Sequence, residues 1–133
     1  MRFLESDAMK KLTPILYVDA IEPCLPFWVK RLGFAKTVEV PDGEKLGFVI
    51  LAKDGVELMY QTWSSAAKDI KGAMKPTKGH SAALYFEVSD LDGIERAMKG
   101  ADIVHPRRKA FYGATEIFVR EPAGHVVGFA QME

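Results

Sequence analysis

The chain has 133 residues, 48% hydrophobic and 27% charged, the size and balance of one globular domain with a sizeable core. Its 18 Lys and Arg offset its 18 Asp and Glu, leaving no net field to draw nucleic acid or an anionic membrane surface, so neither is expected as a partner. Apolar runs such as LGFVILA (46–52) are too short to cross a bilayer, and MRFLESDAMKKL lacks the apolar stretch of a secretory signal. A cytoplasmic location is expected, in keeping with a single cysteine, Cys24, that cannot close an internal disulfide.

In chain order, PILYVDAIEPCLPFWVKRLGF (14–34) opens with a β-branched and aromatic run, predicting a strand, and turns into a helix. Pro23 suits the first helical position, Leu25, Trp28, Val29 and Leu32 form an apolar stripe, and Gly33 ends it, while Pro26 blurs where the helix begins. Cys24, near the helix start, has no histidine beside it in sequence to act as a base and is expected to be a small buried packing residue. A short strand around Thr37 to Val40 precedes an apolar hairpin, LGFVILAKDGVELMYQ (46–61), reversing at Lys53-Asp54-Gly55. The lysine-rich stretch 64–79, broken by Gly72 and Pro76, reads as a linker with one helical turn after Ser65, either mobile or a lid.

The pattern then repeats. SAALYFEVSDLDGIERAMKGADIV (81–104) is again strand then helix, with Ser89 and Asp92 spaced as a capping box, Leu91, Ile94 and Met98 at helical spacing, and Gly100 as the stop. A short strand at Ile103 and Val104 is followed by a loop holding Arg107, Arg108 and Lys109, three successive charges that read as a solvated loop rather than a phosphate clamp. The hairpin ATEIFVREPAGHVVGFAQ (114–131) reverses at EPAG. Val18 matches Val88, 70 positions on. The expected fold is α+β: two βαβββ modules, about 12–63 and 80–131, forming a curved, mostly antiparallel eight-stranded sheet with helices outside, in one domain spanning 1–133.

The segments YVDAIEPCLPFWVKRLGF and FVREPAGHVVGF, set in paired modules over roughly 12–131, resemble the vicinal oxygen chelate superfamily, which includes glyoxalase I, bleomycin-resistance proteins and extradiol dioxygenases. The resemblance implies a cup whose metal, where there is one, is held by residues of the first and last strand of each module. Those positions fall here at Thr13, Glu57, Ala83 and Gly128. Only Glu57 carries a metal-binding group, so no metal cofactor is expected, although a divalent metal bound through shifted ligands such as His80 would make the protein a lyase, isomerase or dioxygenase of the superfamily. The resemblance also implies a homodimer.

Alternation places Met59 on the face of Glu57, with Val56, Leu58 and Tyr60 opposite. Glu57 either lines the cup, holding a cationic ligand or acting as a general base, or is an exposed carboxylate on an open sheet. Tyr17 shares the face of Thr13, and Tyr85 and Glu87 that of Ala83; with Trp63, Phe111 and Tyr112 they offer flat rings suited to a planar organic ligand, against core packing or a dimer interface. His80 is expected in the loop entering its strand, His125 in the hairpin turn and His105 in a solvent-facing loop. By resemblance to the bleomycin-resistance branch, the expected function is metal-independent binding of a planar or cationic small molecule. Bleomycin, a cation, fits poorly with a chain of zero net charge.

Overall fold

The structure is a computed structural model that describes residues 9–70, 72 and 75–133. Its eight strands divide into two four-stranded mixed sheets, each made by one module. In the first, β1 (Ile15–Val18) lies parallel to β4 (Val56–Thr62), which pairs antiparallel with β3 (Lys45–Lys53), which in turn pairs with β2 (Ala35–Asp42). The second repeats that order: β5 (Ala83–Glu87) is parallel to β8 (Val126–Met132), followed by β7 (Ala114–Arg120) and β6 (Asp102–Lys109). The α+β fold of two βαβββ modules is thus observed, with the strands shared between two sheets.

Local chemistry explains the elements. The β3–β4 hairpin reverses on Asp54 and Gly55, both left-handed at φ 51° and 80°, the two-residue turn that Asp-Gly favours because its twist matches the strands. Between β1 and β2 the chain makes a 3-10 turn (Glu22–Cys24) and a π-helical segment (Pro26–Arg31). Pro23 and Pro26 remove amide donors only from opening turns, where those donors lack intrahelical partners anyway. Cys24, Phe27, Trp28 and Leu32 are buried, with Leu25 and Val29 half-buried against them.

Three local expectations are corrected. The segment after β4 holds more than one turn: α1 (Trp63–Asp69) begins at Trp63, capped by the Thr62 hydroxyl, which accepts from the Ser65 amide at 3.1 Å. Helix α2 (Leu91–Ala97) is capped by Asp90, which accepts from the Gly93 amide, one residue beyond the Ser89 expected from the box pattern. Asp and Ser cap about equally well, so position decides: Asp90 stands immediately before the first helical residue, Leu91. Finally, 107–109 lie inside β6, which bulges between Ile103 and Arg108. Pro106 masks that strand in the sequence, and its missing donor is tolerated because β6 is a sheet edge.

One core serves both modules. Val49, Leu51 and Leu58 of the first sheet and Ile117, Val119, Val127 and Phe129 of the second are buried in a single cluster around Trp28. Trp28 meets Phe34 and Phe86 edge-on or tilted, at centroid distances of 5.2 and 5.9 Å. Polar groups in that core are paired. Trp28 Nε1–H donates to Tyr60 Oη at 2.8 Å, and Tyr60 donates to Glu121 Oε2 at 2.5 Å, linking the modules. Burial and the neighbouring Glu121 carboxylate push the Cys24 thiol up to about 12, so it stays protonated, as expected of a packing residue. Each sheet gives one face to this core and leaves the other open.

Candidate functional site

The open face of the first sheet is mostly apolar. Ile15 stands opposite Met59, Met59 opposite Ile50, Ile50 opposite Val38, and Phe48 opposite Val40. Ile15, Val38 and Val40 are each at least 40% exposed. Glu57 lies on this face beside Met59, while Leu58 and Tyr60 point into the core, as alternation predicts. Its side chain is 25% exposed and accepts from Lys11 Nζ at 2.9 Å. Glu57 is therefore an ion-paired carboxylate rather than a solitary one. Thr13, two residues before β1, is half-buried. Tyr17 stacks on Trp63 at 5.3 Å, the rings 24° apart.

The second sheet's open face has different chemistry. Tyr85 and Phe118 both stand opposite Gly128, from β5 and β7, with their rings 6.1 Å apart. A Cβ on Gly128 would lie 2.6 Å from Phe118 Cε1 and 2.9 Å from Tyr85 Cδ1, so the two rings fill the place of a side chain. Beside them is Glu116, its side chain wholly buried. It accepts from Tyr85 Oη at 2.7 Å, from Tyr112 Oη, and from Arg108 Nε and Nη2 at 3.3 and 3.2 Å. Burial alone would raise this carboxyl, but the bonds from Tyr112, Tyr85 and Arg108 outweigh it and hold the pKa below its ordinary value. Tyr85 moves the opposite way, pushed up by desolvation and by its bond to Glu116. Arg108 also lies over the Phe118 ring, 5.6 Å from its centroid.

Of the residues expected from sequence, the structure brings Tyr85, Tyr112 and Gly128 together here. Phe111 meets Tyr112 edge-on and is fully exposed, and Glu87 is exposed further along β5. Glu57, Met59 and Tyr17 belong to the other sheet and Trp63 to the helix that follows it, and among the described residues no hydrogen bond or aromatic contact joins the two groups. Arg108, expected in a solvated loop, instead joins this site, and Glu116 and Phe118 carry no expectation from the sequence. The available signal was ATEIFVR: a glutamate at the centre of an alternating strand, in phase with Phe118, must be buried and therefore partnered.

The basic run is distributed by alternation. Arg107 donates to Asp92 of α2 at 2.6 Å, Arg108 turns to Glu116, and Lys109 pairs with Glu133 at 2.8 Å. His105 is exposed on β6, in a strand rather than a loop. His80 lies in the segment entering β5, as expected. His125 follows the turn but is buried, donating from Nδ1 to Glu121 at 2.8 Å while its amide donates to the same oxygen at 2.6 Å.

Residues 10–129 match the family model of the Glyoxalase/Bleomycin resistance protein/Dioxygenase superfamily, and the chain belongs to that superfamily. No curated protein matches it in sequence. Similar solved structures include TioX from Micromonospora sp. ML1, at 20% identity and a TM-score of 0.71 over 92% of this chain and 100% of that one. A lactoylglutathione lyase from Agrobacterium tumefaciens is 15% identical, with a TM-score of 0.70 over 93% and 94% of the two chains. A glyoxalase/bleomycin resistance protein/dioxygenase family enzyme from Burkholderia phytofirmans PsJN is 14% identical, with a TM-score of 0.74 over 90% and 95%. At these identities the likeness is one of fold.

The positions that the resemblance assigns to a metal do not fit one here. Thr13, Ala83 and Gly128 supply no strong donor, the rings of Tyr85 and Phe118 occupy the space a ligand at 128 would need, and Glu57 holds Lys11. Among the described residues, no three or more His, Cys, Asp or Glu are gathered as a metal cluster. No helix among them is long and apolar enough to cross a membrane.

Proposed function

We propose that this protein binds a planar small organic molecule without a metal, on the open face of its second sheet. The observation that supports this reading is the surface at Gly128: rings fill the space a side chain there would take, beside a buried carboxylate already satisfied by two tyrosines and an arginine. A planar ligand would stack on Tyr85 and on Phe111 or Tyr112, which are 48%, 100% and 50% exposed. Arg108, half-exposed, retains N–H groups for a carbonyl or carboxylate, and Glu87 offers its own carboxylate to a cationic substituent. Because Glu116 pins Arg108 and both tyrosines from beneath, these groups are pre-organised and binding costs little ordering. We further propose a cytoplasmic homodimer that buries the apolar open face of the first sheet, carrying Ile15, Val38 and Val40.

The test is a melting curve with nickel, zinc, manganese or iron, alongside a fluorescence titration with planar aromatic compounds. Unchanged melting with every metal, and saturable binding lost in Tyr85→Ala, are expected. A micromolar metal site that depends on Glu57 would overturn the reading. The rival, a superfamily lyase, isomerase or dioxygenase with Glu57 as base or ligand, draws on the three-quarters-buried position of that carboxylate. It requires Glu57→Gln to abolish turnover without unfolding the protein.

A further inference from the structure

Where the two modules meet, a cleft of about 910 Å³ opens between β1, the start of α1, the segment 76–82 and the β7–β8 turn. None of Tyr85, Arg108, Tyr112, Glu116 or Phe118 lines it. Tyr17 stacked on Trp63 supplies one flat apolar surface. His80 over His125, their centroids 4.0 Å apart, supplies another. Prolines, alanines and aliphatic residues make up much of the remainder, and among the described residues Asp19 and Lys78 are its only lysine, arginine or carboxylate residues.

His125 is the built element of this cleft. Its side chain is 9% exposed, and its Nδ1–H is fixed on Glu121, whose carboxylate is itself held by Tyr60 and the His125 amide. A carboxylate that keeps Nδ1 protonated leaves Nε2 of the neutral ring as an oriented lone pair. Among the described residues Nε2 has no protein partner, and no fully buried side-chain nitrogen or oxygen lacks one. Nε2 is therefore not fully buried, and His125 lines the cleft. A fixed acceptor calls for an O–H or N–H donor, and the carboxylate behind it disfavours an anion. The flat surfaces favour a ring.

We propose that this cleft is a second small-molecule site, for a planar hydroxyaryl compound whose O–H donates to His125 Nε2 and whose ring lies against Tyr17 and Trp63. It goes beyond the site on the second sheet and stands or falls separately from it.

The probe is 2-naphthol, with 2-methoxynaphthalene as the analogue lacking the donor. Naphthol is expected to quench tryptophan emission saturably and to shift the ¹⁵N resonance of His125 Nε2, binding about tenfold more tightly than the ether, the worth of one hydrogen bond in a mostly apolar site. Ala82→Phe, at an exposed position lining the cleft, is expected to abolish both signals with the melting temperature unchanged. Equal affinity for the two compounds, an unmoved Nε2 resonance, or full binding by Ala82→Phe would overturn the proposal. Binding lost instead in Tyr85→Ala would assign the compound to the second sheet and likewise overturn it.

Discussion

The two modules share strand order, hairpins and a common core, yet their open faces differ. The first is a stripe of Ile, Val, Phe and Met with one carboxylate paired to a lysine from outside the sheet. The second is a plate of aromatic rings around a buried carboxylate with three partners. The difference is sharpest at matched steps of the last strands, where Met59 stands opposite Ile15 and Gly128 opposite Tyr85, 70 positions after Ile15. Where the first module keeps a side chain, the second has none, and the rings of Tyr85 and Phe118 fill the space. That packing brings Tyr85 to Glu116, so losing one side chain at 128 and gaining a polar cluster beside it are a single structural event. An internal repeat can thus preserve a fold while giving its two copies open faces of different chemistry.

The largest effect that would break this contrast is expected at Glu116. Glu116→Ala leaves Tyr85, Tyr112 and Arg108 without their acceptor, but all three are about half-exposed and can turn to water. The loss in urea unfolding is therefore expected near the lower end for a buried pair, roughly 2–3 kcal/mol, while Glu57→Ala costs well under 1 kcal/mol. Acid sharpens the comparison. The folded Glu116 pKa lies below its ordinary 4.5, so its contribution is complete above about pH 4.5 and is lost as pH falls through the folded value. Glu121 is depressed in the same sense despite its burial, by its bonds from His125 and Tyr60, so Glu116→Gln is expected to reduce the acid slope without abolishing it.

Gly128→Ala comes next. The new methyl carbon would meet Phe118 at 2.6 Å and Tyr85 at 2.9 Å, and rings on an open face can move aside only by giving up their contacts. A loss of about 1–2 kcal/mol is expected, measured by thermal melting, together with weaker ligand binding. Met59→Ala, at the matched step of β4, creates no overlap and serves as its partner measurement. Tyr85→Phe is smaller still. It keeps the ring over Gly128 and removes one of four hydrogen bonds to Glu116, for roughly 1 kcal/mol. If the ring alone binds the ligand, affinity stays within about twofold. A tenfold fall would instead give the hydroxyl a direct contact.

Much of this was legible in the chain. Val18 and Val88, the Asp54-Gly55 reversal and the alternation around Glu57 fix the modules because period and turn chemistry are local properties. The β6 strand was hidden by Pro106 and three consecutive charges, since edge strands tolerate what central strands exclude. The Glu116 cluster was hidden for a different reason. Its donors lie 31 positions before it, in Tyr85, and eight and four before it, in Arg108 and Tyr112. Only the register of β5, β8, β7 and β6 brings them together. A buried glutamate announces that it needs partners, but sequence does not say which.

The smallest effect is expected at Lys11. Its ammonium is more than half exposed, so the bond to Glu57 spends most of its Coulomb energy against water and against the entropy of holding a long side chain. Lys11→Ala is expected to change stability by less than about 0.5 kcal/mol, and 0.5 M salt should erase that difference because exposed pairs are screened. Ligand binding on the second sheet is expected not to move, since Lys11 touches none of its residues. A change in ligand affinity in Lys11→Ala would mean that the two open faces work as one site. The contrast drawn above would then describe two walls of a single cup rather than two surfaces with separate roles.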